Sequence, residues 1–166
     1  MRHINENLAQ FAPAFFGLSC ARLVDQLVAE GAAYAEAAGV KAPVRSISSL
    51  MLLSEQALTV TELASALGIS HVGAIKAIDG LIKADLVQRT QDPDDGRRKP
   101  LTLSKAGETA VEETRAFMEV ARATYQALFE EIGTDAYRVI SDLNEALDRR
   151  SFRLRLAEQA EMQQPS

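Results

Sequence analysis

The segment that most restricts the fold is Thr59–Ser70. Thr59-Val60-Thr61-Glu62 has the order of a capping box, in which the hydroxyl accepts from an early helical amide and the carboxylate reaches back to the N-cap amide. Gly68 is the residue type best suited to a left-handed helix end. Ser70 is a good N-cap for a further helix over 71–84. A helix, a short turn containing glycine and a second helix make helix-turn-helix spacing. In the first helix Leu63, Ala66 and Leu67 are expected to face inward. In the second, Ala74, Ala77, Ile78, Leu81 and Ile82 share one face at about 100° per residue, with Lys76, Gly80 and Lys83 roughly opposite. Val72 and Gly73 flank that outer cluster, and Ile75 lies at the margin of the apolar face. Such a helix fits a groove; an ordinary amphipathic surface helix would show the same stripe.

Next comes Leu86-Val87-Gln88-Arg89-Thr90, a short strand pattern. The run Gln91-Asp92-Pro93-Asp94-Asp95-Gly96 supplies turn chemistry. Lys99-Pro100-Leu101-Thr102-Leu103 is a second strand, which Pro100 limits to an edge position. The expectation is a β-hairpin with a long tip carrying Arg97 and Arg98, with Lys99 adjacent at the start of the second strand. A basic tip beside a helix-turn-helix suits a polyanion: arginine can enter a narrow, strongly negative minor groove while neighbouring cations hold phosphates.

Net charge at first argues the other way, because the 166 residues sum to −5. The distribution reverses that inference. Residues 1–58 balance at −1 and 108–166 at −5, whereas 59–107 balance at +1. Binding a polyanion needs a local basic surface, not a basic chain.

The flanks read as helical. From Asn7 to about Ala38 the chain is rich in Ala and Leu, with Phe11, Phe15, Leu18, Leu23 and Leu27 near three-to-four spacing; Pro13 and Gly17 predict a kink or a late start. Gly39–Pro43 is a break, and Pro43 suits the first turn of a helix that buries Ile47, Leu50, Met51 and Leu53. Ser104 is expected to cap a long helix over about 105–131. Gly133 ends it, and Thr134 would cap a last helix holding Tyr137, Ile140, Leu143, Leu147, Phe152 and Leu156. Arg149, Arg150, Arg153 and Arg155 have many acidic neighbours to pair with.

One cysteine, Cys20, excludes an internal disulfide framework, and with only His3 and His71 beside it no usual zinc site or other metal or cofactor site is expected. No apolar run approaches the roughly 18 residues needed to span a bilayer. Met1–Asn7 lacks the order of a signal peptide. The expectation is a soluble, cytoplasmic chain without a membrane partner. Nor does a catalytic triad, phosphate loop or metal spacing appear, so no enzyme is expected.

The stretch from Leu58 to Gly107 resembles the winged helix-turn-helix of the multiple-antibiotic-resistance regulator (MarR) family. The resemblance rests on Asp92-Pro93-Asp94-Asp95-Gly96-Arg97, then Leu103-Ser104-Lys105-Ala106-Gly107, and extends back through Leu63-Ala64 and Leu67-Gly68-Ile69-Ser70 to Leu81 and Leu86-Val87. It implies a mainly α fold with a small β-hairpin wing. An N-terminal dimerisation arm would cover 1–42, the winged domain 43–107 and C-terminal dimerisation helices 108–166. It further implies a homodimeric DNA-binding repressor of a pseudo-palindromic operator. Helix 71–84 would lie in the major groove, Arg97 would be the minor-groove arginine, and Asp95 would brace the wing. The DNA contacts would be Ser70, His71, Val72, Gly73, Ile75, Lys76, Arg97, Arg98 and Lys99.

The chain also departs from the family. Gly73, Ile75 and Gly80 replace the usual polar residues along the recognition helix, and Asp85 replaces the glycine usual after it. An interaction or ligand-sensing module with weak or lost DNA readout is therefore the alternative. Release by a small aromatic or amphiphilic effector would involve Phe15, Phe16, Met51 and Leu52 by resemblance. Cys20 reads as a small buried hydrophobe; the resemblance offers it a redox role instead.

Overall fold

A computed structural model describes residues 6–91 and 98–163, with no account of the side chains of residues 6–10. The chain divides into two compact units, residues 1–119 and 120–166.

The first unit opens with a 3-10 helix, Glu6–Phe15, and continues as α1, Phe16–Ala37. Pro13 lies inside the 3-10 segment, so regular α-helix starts only beyond it, the late start that a proline without an amide donor imposes. Gly39 adopts φ 78° in the following break. Pro43 is the N-cap of a one-turn 3-10 helix, Val44–Ser46, and not a residue of the first turn as expected; α2, Ile47–Glu55, follows directly. Helices α3, Val60–Leu67, and α4, His71–Lys83, come next. Strands β1, Val87–Arg89, and β2, Leu101–Leu103, then pair antiparallel with Val87 opposite Leu103 and Arg89 opposite Leu101. Helix α5 runs from Lys105 to Glu131.

The core sits beneath α2, α3, α4 and the hairpin stem, where Leu50, Leu63, Ile78, Leu81, Leu86 and Leu101 are fully buried. Three expectations change. Met51 is half-buried while Ile47, Leu50 and Leu53 are buried; in α3 it is Ala64, not Ala66, that joins Leu63 inside. The third concerns α1. Although charges interrupt it, the helical run Phe11–Ala37 contains an 18-residue window of mean hydropathy 1.2 and is long and apolar enough to cross a membrane. Alanines and glycines dilute its charges, so the expectation that no apolar run is long enough to span a bilayer does not hold for this segment.

In the second unit Gly133, at φ 65°, follows α5. Asp135, not Thr134, caps α6, Ala136–Arg149, its carboxylate accepting from the Arg138 amide at 3.0 Å. The expected single last helix is in fact two. Arg150 is extended, and Ser151 caps α7, Phe152–Met162. The break is satisfied locally: the Arg155 guanidinium donates to the Ala146 carbonyl at 2.7 Å and the Arg150 carbonyl at 3.1 Å, and Arg150 pairs with Glu158. Arg155 thus bridges the two sides of the break, adding a second donor to the Ala146 carbonyl, which also accepts from the Arg150 amide at 3.2 Å.

Candidate nucleic-acid interface

The capping box forms as its spacing requires. The Glu62 amide donates to Thr59 Oγ1 at 3.3 Å, and the Thr59 amide donates to Glu62 Oε2 at 2.7 Å. Gly68 closes α3 in the left-handed region at φ 64°, a conformation that costs glycine little. Ser70 Oγ then accepts from the Gly73 amide at 3.1 Å and opens α4. The two helices meet at 112°, within the range of helix-turn-helix pairs.

Ala74, Ala77, Ile78 and Leu81 anchor α4 to the core. Ser70, His71, Val72, Lys76, Asp79 and Lys83 are exposed, Val72 at 61%. Gly73 and Ile75 are half-buried. Gly80 does not join the outer face with Lys76 and Lys83. A Cβ there would stand 3.1 Å from Ser46 Oγ and 3.7 Å from Pro43. Ser46 is itself buried and donates to the Ala77 carbonyl at 2.9 Å. Gly80 therefore lets the 3-10 turn seat against α4.

Beyond α4, Asp85 takes φ 57°, the single non-glycine residue with positive φ among the described residues. Its carbonyl accepts from Ser104 Oγ at 2.6 Å, and the same hydroxyl accepts from the Gly107 amide at 3.0 Å, capping α5. The Ser104 amide donates to the Leu86 carbonyl at 3.0 Å. Gly107 packs so closely that a Cβ would collide with that carbonyl. The Leu-Ser-x-x-Gly element is thus the joint between the hairpin stem, the end of α4 and the start of α5.

The hairpin gains a third backbone partner in Leu58, whose carbonyl accepts from the Leu101 amide at 2.8 Å. Near the stem Arg98 reaches across to α3, its guanidinium donating to Glu62 Oε1 at 2.8 Å. The Glu62 carboxyl is held below the ordinary glutamate range, first by the Thr59 amide and hydroxyl and then by Arg98. Lys99 is exposed and Pro100 buried. Asp95 and Arg97 lie outside the described residues. The Glu62–Arg98 pair has no sequence signal, since its members are 36 positions apart; Glu62 reads from sequence only as half of a capping box.

The residues assigned to an effector pocket occupy separate settings. Phe15 is half-buried, Phe16 is 55% exposed, and Met51 and Leu52 pack against the core. A concavity of about 320 Å³ lies instead at the α1–α2 connection, lined by residues including Ala32, Glu36, Val40 and Lys41, with none of those four. Cys20 is half-buried in α1 rather than enclosed.

Two helices crossing through a glycine turn, followed by a paired hairpin stem, define a winged helix-turn-helix protein. The MarR family profile matches residues 44–98. The chain is 32% identical over 98 residues to the transcriptional regulator AdcR of Streptococcus pneumoniae, spanning 59% of this chain and 67% of that one. It is equally identical over 91 residues to AdcR of Streptococcus pyogenes, spanning 55% of this chain and 62% of the relative's length. The fold is also similar to that of the Mycobacterium tuberculosis transcriptional regulator MosR, solved in complex with DNA, at a TM-score of 0.65 and 18% identity over 82% of this chain and 98% of that one. The chain belongs to the MarR family.

Proposed function

We propose that this chain is a cytoplasmic transcription regulator that binds duplex DNA as a homodimer and represses from a pseudo-palindromic operator. The observation that carries the reading is the exposed face of α4. A helix anchored by Ala74, Ile78 and Leu81 presents His71, Val72 and Lys76 outward. A helix held this way can enter a major groove with its N-terminal residues toward base edges. Ser70 and Gly73 sit at its start, where backbone amides approach a phosphate, and Val72 or Ile75 would meet thymine methyl groups. In this reading Arg97 enters the minor groove, Lys99 holds a phosphate and Asp95 steadies the wing. The M. tuberculosis regulator of similar fold was solved in complex with DNA, which supports a DNA partner for this fold.

Dimerisation is supported by unburied apolar surface. No described residue from 120 to 163 is buried, yet Tyr137, Ile140, Leu143 and Leu147 recur along α6, with Tyr137 78% exposed. Phe11, Leu18, Leu23 and Val24 are likewise exposed in the N-terminal helical run. Surfaces of this kind call for a protein partner, and a two-fold partner would present two recognition helices to two half-sites. The apolar N-terminal run, residues 11–37, is then an interface element; Arg22 and Asp25 lie midway along it, and Asp25 pairs with Arg45 at 2.9 Å. An effector would release DNA only through differential affinity for two half-site geometries.

The test is selection of bound fragments from a random duplex pool, with the mass of the complex measured by sedimentation. A two-fold sequence bound by two chains is expected. Failure to enrich any duplex at low salt, together with a stable protein partner, would favour an interaction module that has lost DNA readout. The sparse polar chemistry of α4 motivates that alternative.

A further inference from the structure

We infer that Glu62 is the positioning residue of the hairpin stem: its carboxylate, already engaged at the N-terminus of α3, also grips Arg98 and so fixes the segment Arg98–Pro100, which leads into β2, against that helix. The stem is pinned to one short segment at two points. Leu58 pairs with Leu101 through the backbone, and four residues further on Glu62 Oε1 accepts from Arg98 at 2.8 Å while its Oε2 accepts from the Thr59 amide at 2.7 Å. Between the two pinned residues of the stem, buried Pro100 has a restricted φ, and its carbonyl accepts from the Thr90 amide at 2.8 Å. The Leu58–Leu101 pairing holds β2 itself. The second attachment, three residues earlier at Arg98, references the segment leading into β2 to the helix that carries the turn into α4.

The assignment separates three adjacent cations. Arg98 and Lys99 are both exposed, but Arg98 faces a carboxylate, which offsets its positive potential toward a phosphate. Arg98 therefore acts through Glu62 and not by touching DNA. This rests on the DNA-binding reading for its functional consequence, though not for its structural one.

The test compares wild type, Glu62→Gln, Arg98→Gln and the double variant. Glutamine is accepted at the third helical position of a capping box, and Arg98→Gln leaves that box untouched. Two readouts are taken: hydrogen exchange at the Thr90 amide, and affinity across a salt series for a duplex of about 30 base pairs selected by the wild-type chain, long enough for two half-sites. Both single variants should speed Thr90 exchange. Each should weaken binding on the order of fivefold, the upper range for an exposed ion pair, with the double no worse than either and the salt slope unchanged. Unchanged Thr90 exchange overturns the inference whatever the affinities do. So does Glu62→Gln binding as tightly as wild type or tighter, or Arg98→Gln lowering the slope by about one per subunit, the signature of a direct phosphate contact. If wild type binds no duplex, the DNA reading fails separately and Thr90 exchange alone decides the strap.

Discussion

Single residues carry several of the fold's joints, and two of them, Gly80 and Gly107, are glycines that make room for a neighbour without taking a positive φ. Gly107 is needed because the Leu86 carbonyl occupies the space of a side chain. Gly107→Ala should cost about 1–3 kcal/mol, the usual range for overpacking a tight site, read as a lowered denaturation midpoint; an unchanged midpoint would show that the joint yields freely. Asp85 is the opposite case, a side chain held at φ 57° where glycine is at ease. Asp85→Gly should leave stability equal or raise it by up to about 1 kcal/mol, whereas Asp85→Val should lower it. Glu62 adds a pH dependence with a definite sign. Its native pKa is lowered, so the stability it contributes is complete above the ordinary glutamate value of about 4.3 and fades as pH falls through the native value. The stability gap between wild type and Glu62→Gln should therefore narrow on acidification from about pH 5 to 3; a gap independent of pH would remove the charged role of Glu62.

At the scale of elements, what was legible in the sequence was punctuation. Thr59, Gly68, Ser70, Ser104 and Gly133 mark helix ends through local hydrogen bonds or positive φ, so their roles follow from neighbours within a few residues. Contacts between distant segments were not legible. Gly80 looks like an outward small residue until the 3-10 turn of Ser46 is placed against it, and the Arg98–Glu62 pair spans 36 positions. The last helix was misread for a related reason: apolar spacing continues from Leu147 to Leu156 while the backbone breaks at Arg150 and Arg155 caps the severed end. The effector residues, drawn from family resemblance alone, are not brought together around the concavity. One element also bears a prediction. Ile140 lies on the unburied apolar stripe of α6, so Ile140→Glu should convert the proposed dimer to monomer in sedimentation at micromolar concentration while the first unit keeps its helical signal. A variant that stays dimeric would move the interface elsewhere.

For the whole molecule, the acidic balance and the proposed DNA partner are compatible because charge is segregated. The excess lies in residues 108–166, and the winged segment is slightly basic. In the proposed reading only a few cations per subunit meet phosphate, with exposed Lys76 among them near the start of α4. Binding should accordingly show a modest salt slope, since each neutralised phosphate adds about 0.9 to it. Lys76 also gives the most direct test of the claim that α4 reads DNA. The measurement is the affinity of wild type and Lys76→Gln for the selected duplex across a salt series. The account predicts a loss on the order of tenfold for Lys76→Gln, with the slope reduced by about two, one contact from each subunit. Equal affinity and equal slope for the two proteins would contradict it.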